Sequence, residues 1–161
     1  MVVVRETIAE DWQALRDIRL TALRDAPDAF ASTYAEQVVY QESDWLARIA
    51  RRGTFLAYLP GISTSEAAGL VGGYREAHGT VGLISMFVRP QARGRGVGEA
   101  LIAKVIDWAG DQDATSVRLW VTESNKPARM LYERCGFSPT GERQPLPSKP
   151  HLSEIAMIRP L

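Results

Sequence analysis

The stretch from Val81 to Trp108 constrains this chain more than any other. An apolar run, Val81 to Val88, feeds into Arg89-Pro90-Gln91-Ala92-Arg93-Gly94-Arg95-Gly96-Val97-Gly98, and a helix-patterned run leaves it with Val97, Ala100, Leu101, Val105 and Trp108 on one face. A second apolar run, Val117-Arg118-Leu119-Trp120-Val121, follows. Strand, helix and strand in that order demand a crossover, and therefore a parallel strand pair. Three glycines alternate where the helix must begin, and no acid occurs from Ser85 to Gly98. Without Cβ atoms the backbone can come close to a ligand. The first N–H groups of a helix lack internal partners and lie at its positive end. With Arg89, Arg93 and Arg95 nearby, the stretch reads as a phosphate-binding loop.

Two nucleotide motifs compete for this loop and fit poorly. A P-loop needs four residues between its glycines and then Lys-Ser/Thr. A dinucleotide fingerprint would place its third glycine at position 99, which is Glu, and would follow an early first strand. Arg-x-x-Gly-x-Gly does match, as Arg93 to Gly98. Read with Val88-Arg89-Pro90, it closely resembles the acetyl-CoA signature of the GCN5-related N-acetyltransferases. A plain Gly-rich turn on a basic surface is the alternative.

A second block lies near the C-terminus. Val117–Val121 leads through Thr122-Glu123-Ser124-Asn125 into a helix, Pro127 to Cys135, stopped by Gly136 before Phe137 opens another strand. Asn, Ala, Leu-Tyr and Gly-Phe in this order resemble the second conserved block of the same family. Each residue also has a structural reading. Asn125 or Ser124 can cap the helix, Tyr132 can be a packing aromatic, and Gly136-Phe137 can be a C-cap with its apolar contact.

The rest of the chain supports one domain over residues 1–161. Val2–Glu6 reads as a strand and Thr7-Ile8-Ala9-Glu10 as a capping box. The helix after it carries Trp12, Leu15, Ile18, Ala22 and Leu23 on one face. Residues 29–42 read as irregular, 44–52 as a short helix, and 54–59 with 70–76 as a hairpin. The Pro-rich piece Gln144–Pro150 reads as a surface loop and Glu154–Ile158 as the last strand. The expected fold is α/β (α+β): a mixed, mostly antiparallel sheet of six to seven strands flanked by about four helices. The resemblance adds that the strand before the Gly loop and the strand after its helix splay apart.

Nineteen basic and nineteen acidic residues balance, so neither nucleic acid nor an anionic membrane is indicated as a partner. The single Cys135 excludes an internal disulfide and suits a reducing cytoplasm. The N-terminus is too soon charged for a signal peptide, and no apolar run approaches a membrane span. His78 and His151 stand alone, so no metal is expected.

The resemblance implies an N-acetyltransferase that uses acetyl-CoA as acyl donor and a small-molecule or peptide amine as acceptor, and it leaves a homodimer open. It places the pyrophosphate on Arg93, Gly94, Arg95, Gly96, Val97, Gly98 and Glu99. It places the pantetheine amides on backbone groups of Phe87 and Val88, with further cofactor contacts at Asn125 and at Arg129 or Lys126. A backbone N–H near Met86–Val88 would serve the oxyanion, and Tyr132 would protonate the departing thiolate. Phe30, Tyr34 and Glu36 are candidates for the acceptor pocket. Glu36, Glu42, Asp44, Glu76 and Glu154 all remain open as the group that deprotonates the amine. A catalytically silent acyl-CoA-binding module on the same fold is the alternative function.

Overall fold

The computed structural model describes residues 1–161. Seven strands form one sheet in the order β1-β2-β3-β4-β5-β7-β6. In chain order the elements are β1 (Val3–Glu6), α1 (Trp12–Asp25), α2 (Tyr34–Gln37), α3 (Glu42–Ala50), β2 (Thr54–Tyr58), β3 (Gly69–Arg75), β4 (Thr80–Val88), α4 (Val97–Asp111), β5 (Ser116–Thr122), α5 (Lys126–Arg134), β6 (Ser138–Leu146) and β7 (Lys149–Pro160). Every neighbouring pair is antiparallel except β4 and β5, the crossover that α4 makes.

The period-2 alternation of β2 explains the layering. Phe55 and Ala57 join a core with Leu101, Ile102 and Val105 of α4, while Leu56 and Tyr58 join one with Leu15 and Ile18 of α1 and Trp45 of α3. From Phe55 to Tyr58 this strand is buried on both faces. No helix is long and apolar enough to cross a membrane.

Three local expectations are corrected. The N-terminal cap is made by Asp11, whose Oδ2 accepts from Ile8 N–H at 2.8 Å, and not by Thr7 with Glu10; the Thr7 hydroxyl instead donates to Thr54 O. Residues 29–42 contain the one-turn helix α2, a fifth helix, closed by a Thr33–Glu36 capping box. Gln144–Leu146 and Lys149–Pro150 lie in the β6–β7 hairpin and not in a loop. β6 is the sheet edge, where Pro139 and Pro145 cost few ladder bonds.

Candidate active site

The site begins with a parallel pairing that stops early. β4 and β5 are in register only from Thr80↔Ser116 to Leu83↔Leu119. At that point β4 carries a bulge: its register to β3 shifts between Gly72↔Ile84 and Leu70↔Phe87, so Ser85 and Met86 together oppose Val71, and Ser85 has φ +62°. A bulge bends and twists its strand. β5 meanwhile stays with β7 as far as Thr122↔Glu154. A wedge therefore opens between Ile84–Val88 and Trp120–Thr122, as the resemblance implies.

Alternation decides which backbone groups face this wedge. Gly73 N–H donates to Gly53 O, so the odd-numbered residues of β3 point their backbone to β2 and Leu70 points to β4. Phe87, in register with Leu70, is thereby committed to β3. Phe87, expected on the gap, thus turns its backbone to β3, and by alternation Val88 turns its own away from β3. Val88 C=O accepts from Arg93 Nε at 3.1 Å.

Beyond Val88, a 3-10 turn over Pro90–Ala92 leads to Gly94 (φ +76°) and Gly96 (φ +80°), and α4 starts at Val97. Ala100 N–H donates to Gly96 O, and no side chain caps the turn. The N–H groups of Val97, Gly98 and Glu99 thus have no intrahelical acceptor. A Cβ at Gly94 or Gly96 would meet nothing within 4 Å, so the space over the loop is open. Gly98 is different. Its Cβ would lie 2.9 Å from Leu131 Cδ2, so this glycine serves the contact of α4 with α5. Arg93 and Arg95 are exposed on the loop. Arg89 turns away, donating to Ala67 O at 2.6 Å and pairing with Glu66 at 3.3 Å. The loop's charge therefore comes from two arginines and not three. Glu99 pairs with Arg134 across to α5.

On α5, Asn125 Oδ1 accepts from Ala128 N–H, which makes it the helix cap, and Arg129 Nη1 donates to Glu123 O at 3.0 Å; Lys126 is exposed. Tyr132 is buried and packs edge-on against Phe137 at 5.9 Å between ring centroids. Its hydroxyl makes no hydrogen bond, and burial pushes the phenol well above its ordinary pKa. The Cys135 thiol is also pushed up, by burial and then by Glu99, so it is a poor nucleophile at neutral pH. No cluster of His, Cys, Asp and Glu could hold a metal.

On the α1 face of the wedge lies a cleft of about 310 Å³. Phe30 from the α1–α2 connection, Ser85 of β4 and Trp120 of β5 line it, with the carboxylates of Glu76 and Glu154. Glu154 is 7% exposed; its Oε1 accepts from Gln144 at 2.6 Å and its other oxygen has no partner. Glu76 accepts from Tyr74 O–H at 2.7 Å, and Tyr74 is pushed up to about 12 by burial and by that carboxylate. Two sequence candidates fall outside the cleft. Tyr34 is on α2, and Glu36 is turned onto Thr33 as a cap. Asp44 caps α3 through Gln41 N–H, and Glu42 is exposed.

Arg19 also lines the cleft and had not been singled out. The signal was present. Position 19 falls within the 15-18-22-23 apolar stripe of α1, where a charged side chain has to be buried.

A family model described as "Acetyltransferase (GNAT) family" matches residues 12–137. An uncharacterized N-acetyltransferase of Archaeoglobus fulgidus is 26% identical over 129 residues, covering 76% of each chain. Four further curated relatives match over 52–62 residues, and the chain spans only 23–41% of their length. An acetyltransferase of the GNAT family from Streptococcus pneumoniae superposes with a TM-score of 0.80 at 18% identity, covering 100% of this chain and 99% of that one. The PaiA N-acetyltransferase of Thermoplasma acidophilum, solved with coenzyme A, superposes at 0.74 with 15% identity over 100% and 99%. At these identities the two structures establish the fold.

Proposed function

The chain belongs to the GNAT acetyltransferase family, and from that premise we propose that it moves an acetyl group from acetyl-CoA to a primary amine by direct attack. The observation that carries this reading is the junction of a helix N-terminus with three free N–H groups and a wedge between two strands. The first fits a pyrophosphate. The second fits an extended arm that adds to the unpaired edge of β4. Open space over Gly94 and Gly96, with Arg93 and Arg95 beside it, suits the same group.

Acetyl-CoA supplies an activated thioester; the chain positions it and handles the protons. In this reading the free oxygen of Glu154 accepts the proton of the amine, directly or through water. This is required because an alkylammonium has a pKa of roughly 10. The amine nitrogen then bonds to the carbonyl carbon. Val88 N–H donates to the carbonyl oxygen as negative charge develops on it. The carbon–sulfur bond breaks, Tyr132 gives its proton to the sulfur, and the second proton leaving the amine nitrogen passes through water to restore the Tyr132 phenol. Burial keeps the phenol protonated at neutral pH, so the proton is present, while the raised pKa makes it a weaker acid than a free tyrosine.

Thermal unfolding and a thiol-release assay test the proposal together. At a hundred times its Kd a ligand adds about 2.7 kcal/mol, which is roughly 5–11 °C in Tm for a chain of this size. Coenzyme A and acetyl-CoA should give such shifts, and acetyl-CoA should release thiol when an acceptor amine is present. A larger shift with NAD than with acetyl-CoA would overturn the assignment.

A further inference from the structure

A second cavity, of about 240 Å³, opens beside the cleft and shares Arg19, Ser32, Tyr74, Ile84 and Ser85 with it. Its lining includes Arg19, Arg48, Arg51 and Arg52, and no acid. Arg52 is neutralised by a bidentate pair with Glu6. None of the protein's ion pairs involves Arg19, Arg48 or Arg51. Arg19 is the unusual member. It is 5% exposed, donates only to neutral oxygens, Gln37 Oε1 at 3.1 Å and Ser85 Oγ at 3.4 Å, and has its guanidinium 5.2 Å from the Phe30 ring centroid. Burial, and after it the charge of Arg48, lowers its pKa to about 10, so it stays a cation at neutral pH. A buried charge without a counter-ion costs several kcal/mol. The fold bears this cost at a residue that both cavities share.

Glu76 and Glu154 thus line only the first cavity, with Arg118, which pairs with Glu142; Arg48 and Arg51 line only the second, and Arg19 lines both. We propose that the acceptor is an acidic amine: its amino group lies against Glu154, and its carboxylate or phosphoryl oxyanion binds Arg19 and Arg48. This rests on the acetyl-transfer reading above and names the class of acceptor. The oxyanion supplies the counter-charge that the chain lacks, and a planar guanidinium can bind it with two parallel hydrogen bonds.

The test compares matched pairs: amino acids against their carboxamides, and phosphoethanolamine against ethanolamine. The two sets distinguish a carboxylate from a phosphoryl group. A charge-assisted hydrogen bond is worth about 1.5–3 kcal/mol, so kcat/KM should favour the acidic member of at least one set by about 10- to 100-fold. Arg19→Met should bring that ratio to within about threefold and, by removing an uncompensated buried charge, should keep or raise Tm. Arg48→Met, on a half-buried side chain, is the second variant should Arg19→Met fail to fold. A binding arm is independent of turnover. With coenzyme A present to occupy the loop, the acidic amine should raise Tm more than its neutral partner in the parent but not in the variants. An Arg19-dependent Tm shift without thiol release would uphold the anion seat and reject acetyl transfer. Neutral amines performing as well as acidic ones, a preference that survives both substitutions, or neither turnover nor a Tm shift with any acidic amine would overturn the proposal.

Discussion

Tyr132→Phe separates chemistry from packing because it removes the hydroxyl and keeps the ring's contact with Phe137. The Tyr132 ring is buried against Phe137, yet its hydroxyl has no hydrogen-bond partner. The buried unpaired side-chain atoms are Trp45 Nε1 and Arg118 Nε, so the Tyr132 oxygen is open to water and carries no such penalty. Removing it should therefore leave Tm within about 2–4 °C of the parent, equivalent to about 1 kcal/mol here. If the oxygen protonates the leaving thiolate, turnover must fall. General acid assistance typically contributes about 10²–10⁴-fold. A thiol with a pKa of roughly 8.5 leaves fairly readily, so the expected loss is nearer 10- to 100-fold. Acetyl-CoA affinity should hardly change. The assay is single-turnover thiol release, with calorimetric affinity and thermal unfolding on the same preparation. The phenol's raised pKa adds a pH signature. An unfolded tyrosine ionises near pH 10 while the buried one does not, so its contribution to stability is full below that pH and lost as pH rises above it. The variant should lose less stability there than the parent. Turnover within twofold of the parent would return Tyr132 to a packing role.

The two loop glycines should behave differently. Gly96→Ala forces an L residue to φ +80° over the open loop, costing about 1–2 kcal/mol, and should weaken acetyl-CoA binding at least about tenfold with the fold intact. Gly98→Ala meets only the flexible end of Leu131, and the helix propensity of Ala offsets about 1 kcal/mol. Calorimetry should find its affinity within about threefold of the parent, and a tenfold loss would place Gly98 at the ligand after all. Glu154→Gln should lower kcat/KM by about 10²-fold near neutral pH, with the deficit narrowing toward pH 10 as the amine loses its proton to solvent; a deficit independent of pH would exclude Glu154 as proton acceptor. Two carboxylates should set the acid limb of stability. Hydrogen bonds from Arg52, against opposing burial and helped by Gly53 N–H, hold Glu6 low; Asp11 is held low by Arg5 and Ile8 N–H against the larger effect of burial. Their stabilisation is present above the ordinary carboxylate range of roughly 4 and lost as pH falls through the lowered values. Urea midpoints of Asp11→Asn against the parent should converge as pH falls.

What sequence reading missed has identifiable physical causes. Prolines at 145, 147 and 150 made a hairpin look like a loop, because proline excludes central strands but not an edge, and edge position is a property of the whole sheet. Thr7 has the sequence pattern of a cap, but its hydroxyl was taken by Thr54 from another strand. Glu36 was legible as a cap from Thr-x-x-Glu, and was read as a pocket residue instead. Phe87 and Val88 look equivalent in an apolar run; only the register against β3 shows that one backbone faces the sheet and the other the gap.

Local order of residues was enough to determine the strand–loop–helix unit, the positive-φ glycines at its turn, the buried faces of α1 and α4 and the family to which the chain belongs. Those features depend on backbone sterics and side-chain periodicity, which neighbouring residues set by themselves. Tertiary structure alone decided that Gly98 faces α5, that Arg89 leaves the loop for Glu66, and that Glu154, Ser85 and Arg19 line one cleft though far apart in sequence. Such choices depend on which polar groups find partners across the fold, and a partner on another element leaves no trace at the residue's own position. Arg19 shows the difference most clearly: its place in the apolar stripe predicts burial, but only the assembled sheet and helices show that it pairs with no acid and shares a cleft with Glu154.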